Sequence, residues 1–374
     1  MSQPVEFESL PFGSRFKIGL VRLSSPKSLN ALSMDMIALI KLQLELWRED
    51  PYVAAIWIEG DGKKGFCAGG NVVDVYRSLA DNQDGGAFSY RYFHTEYQLD
   101  YLISTYPKPV VCWGHGYVMG GGMGLLMAAD YRIVTPSSRL SMPEIKIGLY
   151  PDVGASHFLN LLPEHYARFL ALTAYQVNAT DACELGLATH YVADDVRHLV
   201  LEKLANCHLE QLDLERAKLL IANVLHGFSM SDDLPLLKPE LQSHEKTIEK
   251  LMGGTIENIY QSMRSFVPES DCLKNARENF LTGSPLSAHL ILQQLEWGKG
   301  QPLQAVFDRE TLLSVNCSMS GDFQEGVRAL LVDKDKTPHW RYRNVLDVPH
   351  TMVASFFQPT RSFSQLSKHG QTLQ

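Results

Sequence analysis

Four short apolar runs, Ile18–Leu23, Val53–Ile58, Pro109–Trp113 and Tyr131–Val134, set the strongest constraint on the fold. Each has strand length, and turn residues such as Ser24-Ser25-Pro26 and Gly60 close the first two. Stretches with helical spacing lie between them. Met36, Leu39, Ile40, Leu44 and Trp47 fall on one face of a helix that Ser33 caps and Pro51 follows. Strand, helix, strand at this rhythm predicts βαβ units, a mainly parallel sheet and an α/β fold.

Beyond about residue 200 the pattern turns helical. Helices are expected over Leu201–Leu225, His244–Met252, Thr255–Met263 and Phe323–Leu331, with Gly253-Gly254 as a break. Ser284-Pro285 reads as a helix start, since proline suits the first helical position. The last residues, 362–374, are polar and expected to be disordered. A chain of 374 residues exceeds one ordinary domain. The expected division is a core over 1–200 and a helical region over 201–374 that packs on it.

The net charge of −8 argues against broad binding to nucleic acid or an anionic membrane. The six cysteines form no CxxC pair and no zinc spacing with histidine, so they read as reduced thiols and no metal site is expected. The start of the chain has no apolar secretion signal, and no uncharged apolar stretch is long enough to span a bilayer. A cytoplasmic protein is expected; homo-oligomerisation is left open.

Three loop segments carry candidate chemistry. Gly65-Phe66-Cys67-Ala68-Gly69-Gly70-Asn71 follows a strand, and Gly114–Gly124 follows another and leads into an apolar helix. Glycines let the backbone approach a ligand and present its N–H groups. Two N–H groups from separate loops can hold one oxyanion. Tight turns and close packing explain the same glycines, and neither segment fits a dinucleotide or phosphate-loop fingerprint. The third segment, Ser141–Ser156, holds Glu144 and Asp152, each after a proline. Apolar neighbours can raise a carboxyl group toward the range of a general base. A helix cap at Asp152, and a cap or first-turn place for Glu144, account at least equally well for these acids.

Taken together, FCAGG, GYVMGGGMGL with AADYRI, and MPEIKIGLYPDVGAS resemble the crotonase (enoyl-CoA hydratase/isomerase) superfamily over residues 15–200. The resemblance implies a spiral of ββα units with a C-terminal helical region, an acyl-CoA substrate, and no cofactor beyond the CoA that the substrate carries. It matches Gly70 and Gly121 to the oxyanion donors. It puts Lys27 and Lys334, with Ala68 and Gly69, among the CoA-binding positions, and implies that the 201–374 region completes the CoA site.

The hydratases of the superfamily carry a second glutamate where this chain has Gly124, and a glycine where it has Asp152. Glu144 with Asp152, Glu96 before Tyr97, and the 325–340 stretch resemble the branch that hydrolyses 3-hydroxyisobutyryl-CoA. In that likeness Glu144 is the base or nucleophile, Asp152 shuttles a proton or binds the 3-hydroxyl, and Glu96 orients the hydroxyl. By residue type alone Glu96 reads as a solvated helix face. A hydratase or isomerase, and a non-catalytic acyl-CoA-binding protein, are the alternatives. His94 and His115 read as structural histidines, and Cys67 as a small buried residue.

Overall fold

The computed structural model describes residues 3–80, 86–209, 213–229, 237–360 and 363. Apart from Phe363, the expectation for 362–374 concerns residues outside this set. Two compact units form, each assembled from three stretches of chain. The first comprises Met1–Gly70, Leu99–Leu140 and Gln176–Ser243; the second comprises Asn71–Gln98, Ser141–Tyr175 and His244–Gln374.

Among the described residues the strands lie in the first unit, apart from Ser141 at the end of the eighth. They are β1 (Val5–Phe12), β2 (Phe16–Leu23), β3 (Val53–Gly60), β4 (Gly65–Cys67), β5 (Val110–Gly114), β6 (Tyr117–Met119), β7 (Tyr131–Val134), β8 (Arg139–Ser141), β9 (Val177–Asn178) and β10 (His190–Tyr191). One sheet has the order β1-β2-β3-β5-β7-β10 and the other β4-β6-β8-β9. The four apolar runs lie within or overlap β2, β3, β5 and β7, which pair in parallel as expected. The apolar runs do not announce β1. It alternates buried and exposed residues, and pairs antiparallel with β2.

Helix Met34–Glu49 starts where expected, with Ser33 Oγ accepting from the Met36 N–H at 3.2 Å. Its buried line is Met36, Ile37, Ile40, Leu44 and Trp47. Leu39 instead is 38% exposed, because one residue along an α-helix turns the side chain by about 100° from the buried Ile40. The expected 201–225 helix is two, Arg197–Ala205 and Leu214–Ser229. Their Val200, Leu204, Ala217, Ile221 and Leu225 join Ile18, Leu20, Trp57 and Trp113 of the sheet in one core.

The second unit is mainly helical. Ser284 Oγ caps helix Pro285–Gly298 by accepting from the Ser287 N–H at 3.1 Å. Thr255 opens helix Ile256–Ser265 with a reciprocal capping box to Asn258. The end of the Phe323–Leu331 expectation is a π-turn, Arg328–Val332, after helix Gly321–Val327. A Cβ on Gly326 would come within 2.5 Å of the Ile147 backbone, so glycine there lets this helix rest on the loop that carries Glu144. Among the described residues, no helix is long and apolar enough to cross a membrane.

Candidate active site

In the first unit the two glycine loops lock together backbone to backbone. Gly116 lies at φ +55°, and a Cβ there would meet Lys64 O at 2.3 Å; one on Gly122 would meet Cys67 O at 2.5 Å. Close packing therefore explains these two glycines, as the plainer reading had it. Gly121 opens helix Gly121–Ala128, after Gly120 at φ +48°. An N–H in the first helical turn has no acceptor within its own helix, and the helix dipole adds to its pull on an anion.

The Lys27 turn is tied to the same loops. Lys27 is exposed in the 3₁₀ turn Pro26–Ser28. The Ala68 N–H donates to Leu29 O and the Leu32 N–H to Gly69 O, both at 2.9 Å. Asn30, which sequence reasoning did not single out, holds this junction. It is fully buried in the left-handed region at φ 57°. Its amide hydrogens are shared among Asp61 O, Gly65 O and Phe66 O at 2.9, 3.2 and 3.1 Å, and its Oδ1 accepts from the Ser25 N–H at 2.9 Å. The signal was its residue type, since asparagine tolerates left-handed backbone better than most. Replacing Asn30 with Ala takes this partner from two buried carbonyls, Gly65 O and Phe66 O, and from the part-buried Asp61 O and Ser25 N–H, so about 2–4 kcal/mol of stability should be lost. Urea unfolding of the variant checks this; an unchanged midpoint would show that Asn30 holds nothing.

The second unit gathers the acids. Glu96 lies on helix Ala87–Ser104, Glu144 opens the 3₁₀ turn Glu144–Ile147, and Asp152 precedes the short helix Ala155–Phe158. All three are buried, at 3%, 4% and 5% exposure, which overturns the solvated-face reading of Glu96. Asp152 is not the side-chain cap of the helix that follows. That helix has Gly154 at its N-cap and no side-chain cap, and Asp152 Oδ2 accepts from Tyr97 Oη at 2.5 Å. Tyr97 Oη also bonds Ser314 Oγ at 2.6 Å, and Ser314 Oγ bonds Tyr150 Oη at 2.9 Å. Among the described residues, Glu96 Oε1 and Glu144 Oε2 are buried without a hydrogen-bond partner, and none of the three acids is in an ion pair.

Burial and mutual repulsion set their protonation. Glu96 is held well above the usual carboxylate range by burial and then by Asp152. Glu144 is likewise raised by burial, then by Asp152 and more weakly by Glu96. Burial pushes Asp152 up to about 6, against the hydrogen bond from Tyr97. A fourth buried acid, Glu310 on helix Leu303–Ser318, is pushed up to about 8 by burial, although Gly154 and Ser156 donate to it.

These shifts fix a pH dependence of stability. A carboxyl whose pKa is higher folded than unfolded binds more protons in the native state over the interval between the two values. Its contribution is complete below about 4 and is lost as pH rises through about 6 for Asp152 and about 8 for Glu310. Glu310→Gln removes one titration, so its melting temperature should fall less steeply than wild type between pH 6 and 8.5. Parallel curves for the two proteins would contradict the shift.

Comparison with known proteins now adds to this geometry. The family model for enoyl-CoA hydratase/isomerase matches residues 18–357. The chain belongs to the enoyl-CoA hydratase/isomerase family. It is 36% identical over 345 residues to the mitochondrial 3-hydroxyisobutyryl-CoA hydrolase of Danio rerio, covering 91% of this chain and 87% of that one. The human mitochondrial 3-hydroxyisobutyryl-CoA hydrolase is 35% identical over 347 residues, with 91% and 86% covered. Among solved structures, a carnitinyl-CoA dehydratase from Mycobacterium thermoresistibile matches with a TM-score of 0.83 at 28% identity, covering 96% of this chain and 98% of that one. An enoyl-CoA hydratase from Rhodobacter sphaeroides matches with a TM-score of 0.80 at 29% identity, with the same coverage. The crotonase fold with its C-terminal helical region is thus that of this family member.

Set against the sequence reading, the structure brings Glu96, Glu144 and Asp152 into one cluster and Lys27, Ala68, Gly69, Gly70 and Gly121 onto one set of loops. Lys334 is exposed on the stretch after the π-turn, in the other unit from Lys27. Tyr150, Ser314 and Glu310 were missed. Ser314 and Glu310 lie more than 150 residues from Asp152 in sequence, where no local motif marks them. His115 braces backbone as expected, its Nε2 donating to Gly62 O at 2.8 Å. Cys67 is fully buried.

Proposed function

We propose that this family member hydrolyses 3-hydroxyisobutyryl-CoA, a short hydroxyacyl-CoA thioester, to 3-hydroxyisobutyrate and CoA. The observation that carries the reading is the pair of unpartnered buried oxygens, Glu96 Oε1 and Glu144 Oε2, beside Asp152. Buried polar atoms normally find partners, and those that do not call for a functional reason. A water and a substrate hydroxyl are the donors such oxygens take. The names of the mitochondrial relatives support the substrate.

Gly70 and Gly121 N–H groups take the thioester oxygen as it becomes an oxyanion. Removing one such donor typically costs about 2.7–4 kcal/mol of barrier lowering. Glu144 either removes a proton from the attacking water or attacks the carbonyl itself, giving a mixed anhydride that water then cleaves. The C–S bond breaks and the thiolate leaves with a proton. Burial and Asp152 hold Glu144 above the usual carboxylate range, which makes it a stronger base once it is ionised. Asp152 shuttles that proton or holds the 3-hydroxyl, and Glu96 orients the hydroxyl. Lys27, Ala68 and Gly69 hold the CoA moiety, as does Lys334. No metal or redox cofactor enters this chemistry. Hydration is disfavoured because Gly124 supplies no second acid.

The substrate would place the chain in valine degradation. We keep the cytoplasmic placement as part of the proposal, although the named relatives are mitochondrial; fractionation that finds the protein in mitochondria removes it. Calorimetric titration with CoA should show binding below millimolar concentration, weakened by Lys27→Glu. No heat of binding at millimolar CoA would remove the acyl-CoA reading.

A further inference from the structure

One face of helix Leu303–Ser318 grips the segment that carries Asp152 at several points. Glu310, fully buried, accepts the Gly154 N–H on Oε2 at 2.8 Å and the Ser156 hydroxyl on Oε1 at 2.9 Å. Its backbone carbonyl accepts from Tyr150 Oη at 3.0 Å. One helical turn on, Ser314 Oγ bonds both Tyr150 Oη and Tyr97 Oη, and Tyr97 Oη is the donor to Asp152. Ser156 is itself held by Gln294 Nε2 at 3.0 Å, and Gln294 Oε1 by Arg309 Nε at 3.0 Å.

The gripped backbone needs holding. Val153 and Gly154 are both left-handed, at φ 51° and 82°. For a β-branched residue this conformation is a true outlier, and it persists only where its surroundings enforce it. Only Val153 separates Asp152 from Gly154, whose amide Glu310 fixes, so relaxation of Val153 would re-aim the Asp152 carboxylate. Burial disfavours the charged form of Glu310 and pushes it up to about 8, against the hydrogen bonds from Gly154 and Ser156.

We propose that Glu310 is a positioning residue: through the Gly154 N–H it locks the Val153–Gly154 turn and so aims Asp152 at the reacting group, with Ser314 fixing the Tyr97 hydroxyl on the other side of the same carboxylate. This rests on the catalytic role proposed for Asp152. Glu310→Leu removes the acceptor at similar volume, and Glu310→Gln keeps an oxygen for the Gly154 N–H. Misplacement on the order of 1 Å can cost about 10²-fold, so Glu310→Leu should lower kcat about 10- to 100-fold with KM nearly unchanged. Glu310→Gln should stay within about threefold of wild type, since its amide oxygen still accepts the same N–H.

The deciding measurement is kcat for thiol release in a double-mutant cycle with Asp152→Asn. If Glu310 acts through Asp152, Glu310→Leu should cost little further in the Asp152→Asn background. Losses that simply multiply, or a wild-type kcat for Glu310→Leu, overturn the inference and leave the Asp152 role standing. A wild-type kcat for Asp152→Asn overturns that role and this inference with it. Should Glu310→Leu not fold, Ser314→Ala takes its place in the cycle, and multiplying losses there overturn the inference equally.

Discussion

Replacing Glu144 with Gln should abolish thiol release from 3-hydroxyisobutyryl-CoA while leaving CoA affinity within about twofold. The substitution keeps size and shape and removes only the charge that a base or nucleophile needs. General acid–base assistance is worth about 10²–10⁴-fold, and loss of a nucleophile would cost at least as much. Glu144 is 4% exposed and Oε2 has no protein partner among the described residues, so the amide breaks no hydrogen bond at that atom. Stability should rise at neutral pH, because a buried carboxyl raised by burial and by Asp152 is replaced by a neutral group. Activity and melting temperature thus move in opposite directions, which a misfolded variant would not show. Turnover by Glu144→Gln within tenfold of wild type would remove Glu144 from the chemistry.

Asp152→Gly should cut hydrolysis by about 10²-fold or more, since it removes a group proposed to carry a proton or hold the 3-hydroxyl. The same change frees Tyr97 Oη from its 2.5 Å partner. It supplies the glycine a hydratase has at this place, yet it should not produce a hydratase, because Gly124 still offers no second acid. Adding Gly124→Glu to it should bring detectable hydration of crotonyl-CoA if the acids alone define the chemistry. Progress curves for thiol release and for loss of the enoyl absorbance follow both reactions. Asp152→Gly hydrolysing at the wild-type rate would reduce Asp152 to a structural residue.

How far the sequence could be read follows from where each signal lies. β2, β3, β5 and β7 were legible because buried parallel strands read as unbroken apolar runs, whereas β1, with one polar face, did not. Helix starts were legible at Ser33 and Ser284-Pro285, where residue type alone names the position. The break between Ala205 and Leu214 was not, since leucines continue through it. Glu144 and Asp152 stood out through their Pro/Gly-punctuated loop, and the fold puts Glu144 in the first turn of a 3₁₀ helix while neither side chain caps a helix. Glu96 looked like a surface acid on a helix, and its burial comes from tertiary packing that no local pattern records. Glu310, Ser314 and Tyr150 meet Asp152's segment only through long-range contacts, which lie beyond any reading by spacing.

The most direct measurement is free-thiol release by the wild-type protein from a panel holding 3-hydroxyisobutyryl-CoA, 3-hydroxypropionyl-CoA and crotonyl-CoA, with hydration of crotonyl-CoA followed in parallel. Hydrolysis of 3-hydroxyisobutyryl-CoA should exceed every other activity in the panel, and crotonyl-CoA should be neither hydrated nor cleaved at a comparable rate. Hydration of crotonyl-CoA faster than any thiol release would contradict the assignment and make the chain a hydratase that works with a single glutamate at Glu144.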